Sequence, residues 1–107
     1  MTVKQLAQAF DYQILCLPDE TREVVGGYAG DLLSWVMGRL EADNAWVTIM
    51  SNINIIAVAT LADPSCIILS EGVAPEENVL ERARQQGVNV LSTSKTTFAV
   101  CADLASL

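Results

Sequence analysis

The stretch from Ala45 to Asp63, A-W-V-T-I-M-S-N-I-N-I-I-A-V-A-T-L-A-D, limits what the chain can fold into more than any other. Residues 45–50 are apolar and rich in β-branched side chains, the pattern of a buried strand. Residues 53–61 then carry apolar positions at helical spacing, Ile53, Ile56, Ala57 and Leu61, with alanines that permit close packing. Between them the polar step Ser51-Asn52-Ile53-Asn54 can cap the helix at its start. A strand running straight into a helix is half of a βαβ unit.

The flanking segments extend the pattern. Thr2 is placed to cap a helix over 3–10, and residues 12–17 form a strand stopped by Pro18-Asp19-Glu20. A short extended return over 22–25 leads to Gly26-Gly27-Tyr28-Ala29-Gly30, which reads as a tight glycine turn. Asp31 is expected to cap a helix over 32–40 with Leu32, Leu33, Val36 and Leu40 facing inward. After Asp63-Pro64, residues 66–69 are a fully apolar strand. Pro75 suits a first helical turn, and Gly87 suits a C-terminal helix cap. Residues 88–91 form the last strand. A final helix over 95–105 offers Phe98, Cys101, Ala102 and Ala105 to the core. This alternation predicts an α/β fold: a single compact domain over residues 1–107, with a mainly parallel sheet and helices on both faces.

Composition narrows the function classes. Hydrophobic residues make up 51% of the 107 positions and charged residues 18%, which fits one packed domain. No apolar run approaches the roughly 20 residues of a membrane helix, and no leader-like segment opens the chain, so a cytoplasmic protein is expected. Thirteen acidic residues against six basic ones leave a net charge of −7, which repels a phosphate backbone, and nucleic acid is not an expected partner. The chain has no histidine, and its three cysteines, Cys16, Cys66 and Cys101, form no C-x-x-C pair. No metal or cofactor is expected, and the cysteines read as small buried hydrophobes. Acid–base chemistry would fall to carboxylates, Lys95 or tyrosines, none at diagnostic spacing, so the chain is not expected to be an enzyme.

In open α/β sheets, ligands bind outside the carboxyl ends of the strands. Three such exits here are small and polar: Ser51-Asn52-Ile53-Asn54, Ser70-Glu71-Gly72 and Ser92-Thr93-Ser94-Lys95-Thr96. If their strands are parallel, the exits line one rim. Candidate ligand-binding residues are then Ser51, Asn52, Asn54, Ser70, Glu71, Gly72, Ser92, Thr93 and Lys95. Gly27 joins them from a loop able to close over the rim. Hydroxyls, backbone N–H groups and the Lys95 charge suit a small metabolite or an anion. The same Ser, Thr and Asn residues also read as ordinary helix caps.

The strand exits carry a family resemblance. Ser51-Asn52-Ile53-Asn54 followed by I-I-A-V-A, I-I-L-S-E-G (67–72), P-E-E-N-V-L-E-R-A (75–83), G-V-N-V-L-S-T (87–93), T-T-F (96–98) and V-V-G-G-Y-A-G-D-L-L-S (24–34) together resemble a DRTGG domain. In this alignment of motifs Ser70 stands for the family's threonine, Glu71 replaces a glycine and Gly72 is kept; the Asp-Arg pair is missing from 51–54. The family is similar to the N-terminal domain of HPr kinase/phosphorylase, with related modules beside CBS domains and in long phosphotransacetylases. The resemblance implies a stand-alone, non-catalytic regulatory module that senses a small ligand, forms a homodimer and has an enzyme partner; stand-alone members also resemble accessory proteins encoded near iron hydrogenases. The alternative is an assembly domain without a small ligand. The mean hydropathy of +0.35 supports it, because apolar surface left over in so short a chain suits self-association.

Overall fold

The computed structural model describes residues 1–107. Five strands form one sheet: β1 (Gln13–Cys16), β2 (Gly26–Ala29), β3 (Asn44–Thr48), β4 (Cys66–Leu69) and β5 (Val90–Ser92). The helices are α1 (Val3–Phe10), α2 (Leu33–Arg39), α3 (Asn54–Ala62), α4 (Val79–Gln86) and α5 (Thr97–Ala105). The sheet order is β1-β5-β4-β3-β2; all neighbours are parallel except β1 and β5. The α/β architecture expected from the sequence is therefore present, and no helix is long and apolar enough to cross a membrane.

The core follows from the pleat. Side chains alternate between the two faces of a strand, so Trp46, Ile67, Leu69 and Val90 pack on one side, and Ala45, Val47, Cys66, Ile68 and Leu91 on the other. Cross-strand register lines these up as Trp46 beside Ile67 beside Val90, and Val47 beside Ile68 beside Leu91. From β2 the chain steps through β3 and β4 to β5 in one direction. Right-handed crossovers then place α2, α3 and α4 on the same face. The other face is closed by α1, with Val3, Leu6 and Ala7, and by α5, with Val100.

Several local expectations change. Residues 26–29 are strand β2, without positive φ, rather than a glycine turn. These glycines are small because neighbours press close: a Cβ on Gly26 would sit 2.9 Å from Asn44 Oδ1, and one on Gly27 would sit 2.9 Å from Leu104 Cδ1. Asp31 does not cap α2; its Oδ1 accepts from Thr48 Oγ1 at 2.8 Å and from the Ile49 N–H at 2.9 Å, and Leu32 is exposed. Helix α3 buries Ile55, Ile56, Val58 and Ala59, while Ile53, Ala57 and Leu61 face out. Its sequence is apolar almost all round, so spacing alone could not choose the phase. Helix α4 begins at Val79 and not at Pro75. In α5 the inward residues are Thr97, Val100, Cys101 and Leu104, and Phe98 is 84% exposed. The Thr2 cap and the Gly87 cap, at φ 71, are present as read, and Gln5 completes a capping box at Thr2.

One connection holds the remaining edge in place. Residues 18–25 cross from β1 to β2 along the end of the sheet where the parallel strands begin. Arg22 binds both approaches to those strands, with Nε donating to Asp43 Oδ1 at 2.8 Å, Nη1 to Asp63 Oδ1 at 2.9 Å and Nη2 to the Asp63 carbonyl at 2.8 Å. Buried Asn89 pins the same strap, exchanging hydrogen bonds with the Asp19 backbone and donating to the Ser65 carbonyl. Arg22→Ala should cost about 1–2 kcal/mol in urea denaturation, since it deletes charge-assisted bonds on a half-buried guanidinium. Arg22→Lys should recover only part, because an ammonium cannot bridge two partners in the same plane.

Candidate functional site

The parallel register of β3, β4 and β5 brings their three exits to one end of the sheet. The antiparallel strand β1 adds a fourth tip there, because Gln13 pairs with Ser92. Its start therefore lies beside the end of β5, and the turn at Asp11, the αL cap of α1, comes to the same rim.

Two of the exits interlock. Ser70 is fully buried and its Oγ lies 2.7 Å from Thr97 Oγ1. Glu71 and Gly72 take successive positive φ values, 61 and 73, which turns their backbone N–H groups onto the carbonyls of Lys95 (2.8 Å) and Thr93 (3.0 Å). The Glu71 carboxylate accepts the Thr97 backbone N–H at 2.7 Å, at the positive end of α5. Thr93 Oγ1 accepts from the Lys95 N–H. The β3 exit is tied in less directly: the Ser51 carbonyl accepts from the Glu76 N–H at 2.9 Å, and Asn52 Oδ1 accepts from the Asn54 N–H at 2.9 Å, an intrasegment turn.

A cleft of about 520 Å³ opens beside the interlocked pair. Of the residues expected at the rim, it is lined by Gly72, Ser92 and Thr93. The other walls are Asp11, Gln13, Leu15, residues 73–75 and Ser94. Apart from Ser94, noted within its strand exit, these were not visible as site residues in the sequence; a strand signal over 12–17 does not say which edge the strand will join. The remaining expected residues lie elsewhere. Asn54 lines a groove between α3 and α4 with Arg82 and Gln86. Gly27 sits mid-strand on the β2 edge under Leu104, away from the rim, and there is no glycine loop to close over it.

Lys95 does not offer its charge to the rim. Its Nζ donates to Asp103 Oδ2 at 2.8 Å and lies over the rings of Phe10 (5.7 Å) and Tyr12 (5.3 Å). The Tyr12 hydroxyl donates to the same Asp103 oxygen at 2.7 Å. Burial and this carboxylate push the Tyr12 hydroxyl well above its ordinary range. Desolvation favours a neutral Asp103, but the bonds from Lys95 and Tyr12 outweigh it and hold the carboxyl below the usual range. All three cysteines are free: Cys16 packs on the α2–α4 face and Cys66 on the α1/α5 face, and burial pushes the Cys66 thiol up to about 12. No group of three or more Cys, Asp or Glu side chains is placed to hold a metal ion.

The Asp103 cluster has a pH signature. A carboxyl that titrates lower in the folded chain than in the unfolded one stabilises fully above about pH 4, and this stabilisation is lost as pH falls through the folded value. The stability gap between wild type and Asp103→Asn should therefore be constant from pH 7 to about pH 5 and narrow below about pH 4. Thermal melts across that range check it, and a gap that widens on acidification would contradict it.

Comparison with known proteins gives a family and a fold. The DRTGG domain model matches residues 5–107. A solved structure of the CBS and DRTGG domains of the regulatory region of Clostridium perfringens pyrophosphatase, complexed with its activator diadenosine tetraphosphate, superposes with a TM-score of 0.70 at 15% identity. The match covers 96% of this chain and 45% of that one, so the chain spans less than half of the structure it matches. At that identity the likeness is one of fold. Comparison with curated proteins returns no match. With a family model spanning nearly all its length, the chain belongs to the DRTGG domain family.

Proposed function

We propose that residues 1–107 act as a non-catalytic regulatory module that takes a small ligand at the rim of the sheet and works as a homodimer in the cytoplasm, beside an enzyme whose activity it adjusts. The observation that carries this is the convergence of the β1, β4 and β5 tips on one end of the sheet, with a cleft of about 520 Å³ between them. That volume lies within the range of small-molecule sites, and the position is the one open α/β sheets use for ligands. The fold it shares with an enzyme's regulatory region supports the regulatory reading. The absence of histidine and the raised thiols of Cys16 and Cys66 support a module without catalytic chemistry.

A second reading, a docking domain with no small ligand, draws on exposed apolar side chains. Val25, Leu32, Trp35, Leu61 and Phe98 are each more than half exposed. In that reading the apolar surface, rather than the rim, is the working part.

Thermal-shift measurements with nucleotides, acyl phosphates, phosphosugars and their unphosphorylated parents separate the two. A ligand at 100 times its Kd adds about 2.7 kcal/mol, on the order of 10 °C for a domain of this size. Such a shift, lost in Ser94→Ala at the cleft and kept in Phe98→Ala, supports the rim. No shift with any compound, together with a dimer dispersed by Phe98→Ala or Trp35→Ala, supports docking. Sedimentation over a range of concentrations tests the dimer directly, and a strict monomer overturns it.

A further inference from the structure

We propose that the rim cleft recognises a vicinal diol, the adjacent hydroxyl pair of a ribose or another sugar, with Asp11 as the carboxylate that accepts a hydrogen bond from each hydroxyl. This rests on reading the rim as a ligand site and names the chemical class it takes.

The lining has a definite chemistry. It contains one carboxylate, one amide and several hydroxyls, and no lysine or arginine. Asp11 is solvent-exposed at the end of α1 and forms no ion pair. An ionised carboxylate only accepts hydrogen bonds, and its two oxygens match two O–H donors on neighbouring carbons. The same pairing of an acidic side chain with a ribose hydroxyl recurs at the rims of dinucleotide-binding sheets. Gln13, next but one along the chain, offers an amide that both donates and accepts, and the Ser94 hydroxyl does the same from the neighbouring β5 exit. Leu15, Val73 and Pro75 supply apolar surface for the C–H face of a sugar or for an attached base.

The alternative ligand, an inorganic or phosphoryl anion, meets the wrong electrostatics. The cation nearest in sequence, Lys95, is neutralised by Asp103. The Thr97 N–H at the start of α5 already carries the Glu71 carboxylate. An anion entering the cleft would face Asp11 with no compensating charge among the lining residues. A neutral polyol gains hydrogen bonds there at no electrostatic cost.

Backbone-amide NMR titrations of the full chain test this with adenosine, 2′,3′-dideoxyadenosine, ribose and inorganic pyrophosphate. Adenosine should shift the Gln13 and Ser94 resonances saturably, and the dideoxy compound should bind at least about ten-fold more weakly, the loss expected for hydrogen bonds to a charged acceptor. Asp11→Asn should erase that difference, and the fold should survive because asparagine tolerates the αL backbone that Asp11 adopts at φ 61. Glu77→Gln, an exposed carboxylate outside the cleft, should leave it intact. Ribose binding as tightly as adenosine assigns the site to a free sugar, and markedly weaker ribose binding assigns it to a nucleoside; both support a diol site. Equal affinity for the dideoxy compound, or pyrophosphate binding at these resonances while adenosine does not, overturns the diol proposal and leaves a ligand site at the rim. No response at the rim to any of the four, or to any compound of the thermal-shift panel, overturns both.

Discussion

Three adjacent strands with no solvent-facing side are the constraint on which this molecule depends. β3, β4 and β5 are buried on both faces, and a strand in that position can neither slip nor flip without exposing one of its two apolar sets. Covering both faces calls for helices on both, and parallel pairing requires those helices to cross over between strands. Because β2 to β5 are mutually parallel, their C-terminal ends gather at one end of the sheet. The two ends of the molecule then acquire different characters. At the end where the strands begin, Arg22 and Asn89 hold the β1–β2 connection through three hydrogen bonds each. At the end where the strands finish, a cleft remains open, with a carboxylate that forms no ion pair in its wall.

The parts legible in the sequence were those governed by strong local patterns. The apolar run 66–69, the strand-to-helix step after Ala45, the Thr2 cap and the Gly87 cap all depend on neighbours within a few residues, and the structure has them where the pattern puts them. Helix phase was less legible. In α3 and α5 nearly every position is apolar, and what selects the buried face is tertiary: α3 packs between α2 and α4, and α5 turns Asp103 inward to meet Tyr12 and Lys95. The glycines of 26–30 misled for a related reason. The smallness of Gly26 and Gly27 answers to Asn44 and Leu104, which are distant in sequence, and not to a local turn. Asp11 and Gln13 were invisible as site residues because only the antiparallel pairing of β1 with β5 carries them to the rim.

Glu71 shows how one side chain sets the character of a site. Its φ of 61 is a left-handed backbone conformation that glycine adopts more readily than any residue with a side chain. A glutamate there carries backbone strain on the order of 1 kcal/mol. The carboxylate offsets it by bonding the Thr97 N–H and lying at the positive end of α5. The same bond gives the helix a built-in counter-charge. Together with the Lys95–Asp103 pair, it leaves the rim polar without leaving it positive.

The two tryptophans have an optical consequence. Trp46 is fully buried beneath the edge of the sheet, with its indole N–H donated to the Gly30 carbonyl at 3.0 Å. Trp35 is more than half exposed on α2, stacked under the Arg39 guanidinium at 4.1 Å. A water-soluble quencher such as iodide reaches the second indole and not the first. The blue-shifted emission of Trp46 therefore reports, without any attached dye, on whether strand β2 is seated or has peeled away.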